Sequence, residues 1–380
     1  MASGKALILK CPAPSNRRPR RLLAATRGLE GRNVFSPRLA FALAACLALS
    51  IPAFANDSTA ELGTGGLDFV QNENVEMRSE QLFVSTDQIR VTYHFFNKSD
   101  HPVTNLIAFP MPDITVDSPD WNVAVPDQDP VNFLAFSTQA NGQPVATQVE
   151  QKAFAKEIDR TAMLQQMGIP LAPQLKATYD ALDALPKDQW PQLINLGLAE
   201  INEYGTTPDM KMQKHLEPRW TLKTTYYWQQ TFPSQQELVI EHQYKPSVGS
   251  SVGTRVGTPI SKDPQFAADD KAQAAAYTAK YCMDASFVAA ATRFQQAATK
   301  ANANVGEQRI DYILKTGANW AGPIADFTLT IDKGNANNLL SFCGTGVKKL
   351  SPTQFQVHYT AYTPTTDLAV LILTIPAAQQ

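Results

Sequence analysis

Charge is scarce in this 380-residue chain: 18% of its residues are Asp, Glu, Lys or Arg, against 44% apolar ones. That balance excludes an extended disordered chain or a coiled coil, and 19 glycines are far too few for collagen. There are only four cysteines and five histidines, with no Cys-x-x-Cys and no paired histidines, so the spacing writes no zinc site. After residue 55 no apolar run is long enough to anchor the chain in a bilayer, and no internal repeat is found. Basic residues are unevenly placed. Nine of the 33 (Lys5, Lys10, Arg17, Arg18, Arg20, Arg21, Arg27, Arg32 and Arg38) fall in the first 55 residues beside one acid, Glu30, which leaves 24 basic and 34 acidic groups on the rest. An acidic body repels phosphate backbones, so nucleic acid is excluded as a partner.

The N-terminus carries a basic lead, a short apolar run from Leu39 to Ile51 and the ending Ala53-Phe54-Ala55. This is the pattern of a secretory signal cleaved after Ala55, and the run is too short for a stable transmembrane helix. A lipoprotein box at Leu43-Ala44-Ala45-Cys46 is the rival reading, but the apolar run continues past Cys46. Arg20-Arg21 faintly suggests a twin-arginine signal without the apolar core that should follow. The long lead also raises the question of a start downstream of Met1. Export to the periplasm or beyond is the expected destination. Cys11 and Cys46 leave with the signal, and the remaining pair, Cys282 and Cys343, predicts a structural disulfide in an oxidising compartment, with two unpaired buried thiols as the alternative.

The length suggests two domains or one with insertions. Residues 88–95 alternate, with Ile89, Val91, Tyr93 and Phe95 on one face, as a half-buried strand requires, and 97–102 form a turn. Five prolines between Pro110 and Pro130 then exclude helix. Helical spacing takes over at Ile158, Ala162, Leu164 and Met167, again at Leu175, Tyr179, Leu182 and Leu185, and a third time from Trp190 through Ile201. Strands return with Trp220, Leu222, Tyr226 and Trp228, and with Leu238, Ile240, His242 and Tyr244. The Ala-rich stretch 266–300 reads as helix with Asp284 as an N-cap, and strands fill the remainder. The expected fold is mainly β with helical insertions (α+β), built of antiparallel β-sandwich modules. The expected organisation is signal and lead 1–55, N-terminal β part 56–150, helical insertion 151–215, strands 216–262 completing the N-terminal module, helical segment 263–305 and C-terminal β module 306–380.

The sharpest catalytic match, Gly249-Ser-Ser251-Val-Gly253, fits a nucleophile elbow with Asp332 and His358 following in hydrolase order. An elbow needs a helix directly after the serine, and the Gly/Pro-containing 254–259 cannot supply one. His242 sits on the apolar parity of its strand, where a histidine is usually a hydrogen-bonded core or rim residue and otherwise a ligand or general base. Trp220, Tyr226 and Trp228 read as core, and Tyr227, on the opposite face, as the surface contact. Glu73, Glu76 and Glu80 read as a solvated acidic face. Thr64-Gly65-Gly66 lacks the spacing and lysine of a phosphate loop.

Several phrases together resemble the DUF4424 family of exported bacterial proteins of unknown function. They are NDSTAELGTGGL at 56–67, EMRSE at 76–80, FPMP at 109–112, HQYKPSVG at 242–249, YILKTGANWAGP at 312–323, SFCG at 341–344 and Lys348-Lys349. The resemblance covers nearly all of residues 56–375 and begins where the signal ends. It implies an envelope protein with no assigned activity, and it marks 242–249 and 320–323 as candidate surface, each a strand end running into a Gly/Pro loop.

The reading that results is a non-enzymatic periplasmic or secreted protein that binds an envelope protein, a peptide or a glycan, with His242, Tyr244, Tyr227 and Trp320 as candidate binding residues. It needs no cofactor and no metal, and keeps no integral membrane segment after signal cleavage. The alternative is a hydrolase acting on envelope material through His242 with Ser251 or a carboxylate.

Overall fold

The computed structural model describes residues 56–63, 66–116, 123–205, 211–257 and 260–375. The leader with its Cys46 and Ala53–Ala55 features, the Thr64-Gly65 pair and Pro119 lie outside these residues. Among the described residues the fold is mainly β, as the strand periodicities predict, with five α-helices.

An eight-stranded sheet runs in the order Lys348–Lys349, Gln354–Tyr362, Ile324–Asp332, Val75–Val84, Ile89–Asn97, Glu237–Tyr244, Ser137–Ala140 and Gln143–Val145. Every pairing is antiparallel except one: Ile324–Asp332 lies parallel to Val75–Val84. A seven-stranded sheet is centred on the long strand Thr221–Phe232, which pairs with Val103–Pro110 on one side and Gln148–Ala155 on the other. Ser58–Gly63 is hydrogen-bonded to both Val103–Pro110 and Gly66–Val70, the latter forming the far edge. The two sheets face each other through aromatic side chains, with Phe95 against Phe232 at 5.7 Å and Phe136 stacked on Tyr226 at 4.2 Å. Trp220, Tyr226 and Trp228 are buried in this interface, as their shared parity predicts.

A third sheet of five strands contains Leu368–Thr374 flanked by Gly306–Tyr312 and Leu339–Phe342. Leu368, Val370 and Ile372 enter the main core, while Leu371 and Leu373 turn to a second core under the helices Pro264–Lys280 and Ala285–Lys300. A strand covered on both faces must be apolar at nearly every position, which is why LAVLIL carries no alternation. Strands from both ends of the chain thus share one sheet and one core, and the described residues belong to a single compact unit. The residue boundaries expected from the sequence mark changes of pattern within that unit.

The helical pattern is recovered with local differences. The stretch 266–300 is two helices, and Asp284 caps the second by accepting from the Phe287 amide at 2.7 Å. Ile158 lies in the short strand Ile158–Asp159. Trp190–Asn195 is helical, but Ile201 is in the strand Ala199–Tyr204. The break falls at Gly197, whose φ of +73° ends the helix in a conformation that suits glycine.

Cys282 and Cys343 form a disulfide with Cα atoms 5.0 Å apart, joining the turn between the two helices to the end of Leu339–Phe342. The bridge closes a loop over a sequence separation of 61. In the chain-entropy account such a bridge contributes about 4 kcal/mol. Replacing both cysteines by alanine is therefore expected to lower the unfolding free energy by about that amount in urea denaturation.

Candidate functional site

Strand parity puts His242 inside, and the register of Glu237–Tyr244 on Ile89–Asn97 and Ser137–Ala140 sets its neighbours. The imidazole is 2% exposed and packed among Phe109, Phe136, Trp228 and Tyr93, with ring centroids at 4.9, 5.2, 5.3 and 5.7 Å. Both ring nitrogens are engaged: Nδ1 with Thr138 Oγ1 at 3.0 Å and Nε2 with Asp57 Oδ1 at 3.0 Å. Asp57 is fully buried. Burial raises its carboxyl above the usual aspartate range, against the pull of the imidazole beside it.

Asp57 reaches this place because residues 56–58 are drawn into the interior. A short segment later in the chain, around the 3-10 turn Lys315–Asn319, grips them. Asn56 N donates to Thr316 Oγ1, Trp320 Nε1 donates to Asp57 O at 2.6 Å, and Asn319 Nδ2 donates to Ser58 Oγ at 2.9 Å. Gly317 is required by proximity, since a Cβ there would lie 2.6 Å from Asn56 Nδ2. Two of the phrases that carry the family resemblance, NDS at 56–58 and TGANW at 316–320, are therefore two halves of one contact.

The Asn56 side chain completes the cluster. Its amide nitrogen donates to Glu80 Oε2 at 2.9 Å, and its oxygen accepts from Tyr93 and Tyr312, whose hydroxyls are 3.1 Å apart. Glu80, expected on a solvated acidic face, is fully buried. The cause is a bulge: the register of Val75–Val84 against Ile89–Asn97 shifts between Met77 and Ser79. Val75 and Met77 face inward before it, and Glu80, Leu82 and Val84 after it. Among the described residues Glu80 meets no cation, and burial pushes its carboxyl up to about 8.

The pairing of Asp57 with His242 has the composition of an acid–base dyad, but both side chains are 0% exposed, so no substrate reaches it. Ser251 is not a partner of His242. It lies in the strand Val248–Ser251, and its hydroxyl donates to Gly253 O at 3.0 Å. Of the expected binding residues, His242, Tyr244 and Trp320 are buried at 2%, 3% and 0%, which corrects their assignment to a contact surface, and Tyr227 is half-buried. The apolar parity of His242 and Tyr244 already placed them inward; Trp320 is turned in by its bond to Asp57.

Accessible concavity occurs elsewhere. A cavity of about 500 Å³ opens between residues 255–257 with Ile260 and the helix pair, with Val256, Ile260, Met283 and Val288 on its apolar side and Gln273 and Tyr277 on its polar side. Its base is fixed by Glu307, 2% exposed, which accepts from Thr254 Oγ1 at 2.6 Å, Arg255 N at 3.1 Å, Tyr277 OH at 2.6 Å and Arg309 Nη1 at 3.0 Å. Sequence reasoning missed this cavity, because its walls come from a Gly/Pro loop and an Ala-rich helix, neither of which has a distinctive pattern. Among the described residues no group of three His, Cys, Asp or Glu side chains is placed to hold a metal ion, and no helix is long and apolar enough to cross a membrane.

Truncating His242 to alanine would leave the Asp57 carboxyl buried without its partner, at a cost of roughly 3–5 kcal/mol. Thr138→Ala removes one hydrogen bond and should cost about 1 kcal/mol. Chemical denaturation of both variants checks this order.

Comparison with known proteins adds the following. The profile of the family described as a domain of unknown function, DUF4424, matches residues 55–371. None of the curated proteins matches the chain. Among solved structures, a Legionella pneumophila protein titled a "putative nutrient binding protein" is 14% identical, with 84% of this chain and 70% of that one covered at a TM-score of 0.39. A likeness at that level carries no argument about function.

Proposed function

We propose that this chain, which belongs to the DUF4424 family, is an exported, non-enzymatic binding protein of the cell envelope, and that its ligand enters the cavity between residues 255–257 with Ile260 and the helix pair. The observation that carries this reading is the make-up of that cavity. At about 500 Å³ it falls within the range of small-molecule sites, and it combines an apolar wall with a few fixed polar groups. Tyr277 is held in place by Glu307, and Arg255 Nη1 donates to Gln273 Oε1 at 3.2 Å, so the polar edge is ordered before any ligand arrives. Pre-ordering of this kind reduces the entropy lost on binding. The chemistry fits a ligand with an apolar body and a hydrogen-bonding edge, such as a peptide side chain or a lipid- or aryl-bearing fragment of envelope material.

Export is supported by the basic lead, the apolar run and the Ala-x-Ala ending, together with a disulfide of the kind that persists in oxidising compartments. The absence of catalysis is supported by the sealing of the Asp57–His242 pair. A hydrolase built on that pair would need a path through Phe109, Phe136 and Trp228, all of which are buried.

Native mass spectrometry of the protein released from the envelope fraction tests the proposal. The expected result is a retained mass adduct that is lost in Ala274→Trp, a substitution that fills the cavity from the helix Pro264–Lys280. A ligand at a hundred times its dissociation constant would also raise the unfolding free energy by about 2.7 kcal/mol, and the variant should not respond. An adduct carried equally by the variant would place the ligand elsewhere.

A further inference from the structure

Asn56, Asp57 and Ser58 have no exposed surface, and the main-chain nitrogen of Asn56 points at the Thr316 hydroxyl. That nitrogen is the atom a cleavage after Ala55 would set free. Around it the structure leaves acid unanswered: among the described residues Glu80 Oε1 and Asp57 Oδ2 are buried without a hydrogen-bond partner. Asp57 has the imidazole of His242 beside it, but Glu80 has only the uncharged amide of Asn56 and, farther out, the hydroxyls of Tyr93, Tyr312 and Tyr362 and the carboxylate of Asp57. Two buried carboxyls therefore share one group able to carry positive charge, an arrangement the interior tolerates only if one acid stays protonated or a second cation arrives.

The geometry points to the nitrogen of Asn56 as that second cation: hydrolysis of the Ala55–Asn56 bond makes it an α-ammonium, which keeps Thr316 as one acceptor and takes the carboxylate of Glu80 as its counter-charge. In the hydrolysis, water adds to the Ala55 carbonyl carbon and the C–N bond breaks. Ala55 departs as the carboxylate end of the leader, carrying the water oxygen, and the Asn56 nitrogen keeps its electron pair and takes up the two protons of the water. The catalyst is a peptidase of the export route, so this inference rests on the export reading above. Before cleavage the position holds one N–H, which Thr316 satisfies; afterwards it holds three, and the two added donors match the two unpartnered carboxylate oxygens. Removal of the leader thereby becomes a step in completing the core.

The test starts from the full precursor, expressed with export and recovered from the envelope. N-terminal sequencing and intact mass should give a chain beginning at Asn56. A chain beginning elsewhere overturns the inference and leaves export standing, whereas an unprocessed precursor overturns both. The folded product is then treated with an amine-acylating reagent. The Asn56 amine should stay unmodified until the protein is denatured, and labelling at the same rate in both states overturns the inference. Finally, one alanine is inserted between Ala55 and Asn56, so that the mature chain gains a residue and the ammonium is displaced. Loss of one partner of a buried ion pair predicts a rise in the unfolding equilibrium constant on the order of a hundredfold.

The pH profile separates an electrostatic role from a steric one. With an amide at position 56, the folded chain holds a proton on Glu80 up to about pH 8, while the unfolded chain releases it near the ordinary value of 4.5. Stability then falls as pH rises through that interval. The extended chain should show this fall and Glu80→Gln should reduce it to the part contributed by Asp57, whose buried carboxyl is also raised; the chain beginning at Asn56 should show the reduced fall, and there Glu80→Gln should destabilise. Identical profiles in the two chains overturn the inference. If the extended chain does not fold, the acylation result and Glu80→Gln in the chain beginning at Asn56 still decide.

Discussion

The structure depends on the burial of three consecutive polar residues, Asn56, Asp57 and Ser58, beneath the segment from Thr316 to Trp320. Taking two carboxyl groups out of water is costly, and the surrounding residues are arranged to offset that cost. His242 comes from the central sheet, Tyr312 from the third sheet and Trp320 from the loop beyond it, and each donates to, or pairs with, an atom of residues 56–57. Thr138 fixes the far side of the imidazole. The three sheets therefore meet at a polar centre surrounded by aromatic rings. Polar networks in a core specify one arrangement because any slip leaves a buried group unpaired. Here that constraint sets how the strand Ser58–Gly63 enters the seven-stranded sheet and where residues 316–320 must lie.

This arrangement separates two properties that a sequence reader tends to merge. A histidine beside a carboxylate suggests chemistry, and a shared motif suggests a surface. In this chain both belong to the architecture, and the cavity proposed for the ligand lies on the other side of the third sheet, between residues 255–257 with Ile260 and the helix pair. Glu307 connects the two regions by position, since it projects from Gly306–Tyr312, the same strand whose Tyr312 reaches Asn56.

What the sequence made legible was local. Alternation in 89–95 and 238–244 identified strands and placed His242 and Tyr244 inward, and the shared parity of Trp220, Tyr226 and Trp228 identified core. Asp284 marked a helix start, and the cysteine pair its own bridge. Glu80 was misplaced because it was read by its charge, together with Glu73 and Glu76, although Met77 and Leu82, both apolar and an odd number of positions apart, record the bulge. The docking of Asn56 against Thr316 spans 260 positions and depends on hydrogen bonds between common polar residues, so no periodicity reports it. Trp320 looked like a loop-end aromatic because its partner is a backbone carbonyl, which has no signature in side-chain pattern. The parallel pairing of Val75–Val84 with Ile324–Asp332 was hidden for a similar reason: nothing in either strand names the other.

That parallel pairing also constrains the timing of assembly. Val75–Val84 lies between Ile89–Asn97, available almost at once, and Ile324–Asp332, which is made roughly 240 residues later. For a chain made from its N-terminus, one edge of this central strand stays open through most of synthesis. Open strand edges invite pairing with other chains, and distant contacts form slowly. The central sheet is therefore committed to a long unfinished interval and can be completed only after the chain has been made through Asp332.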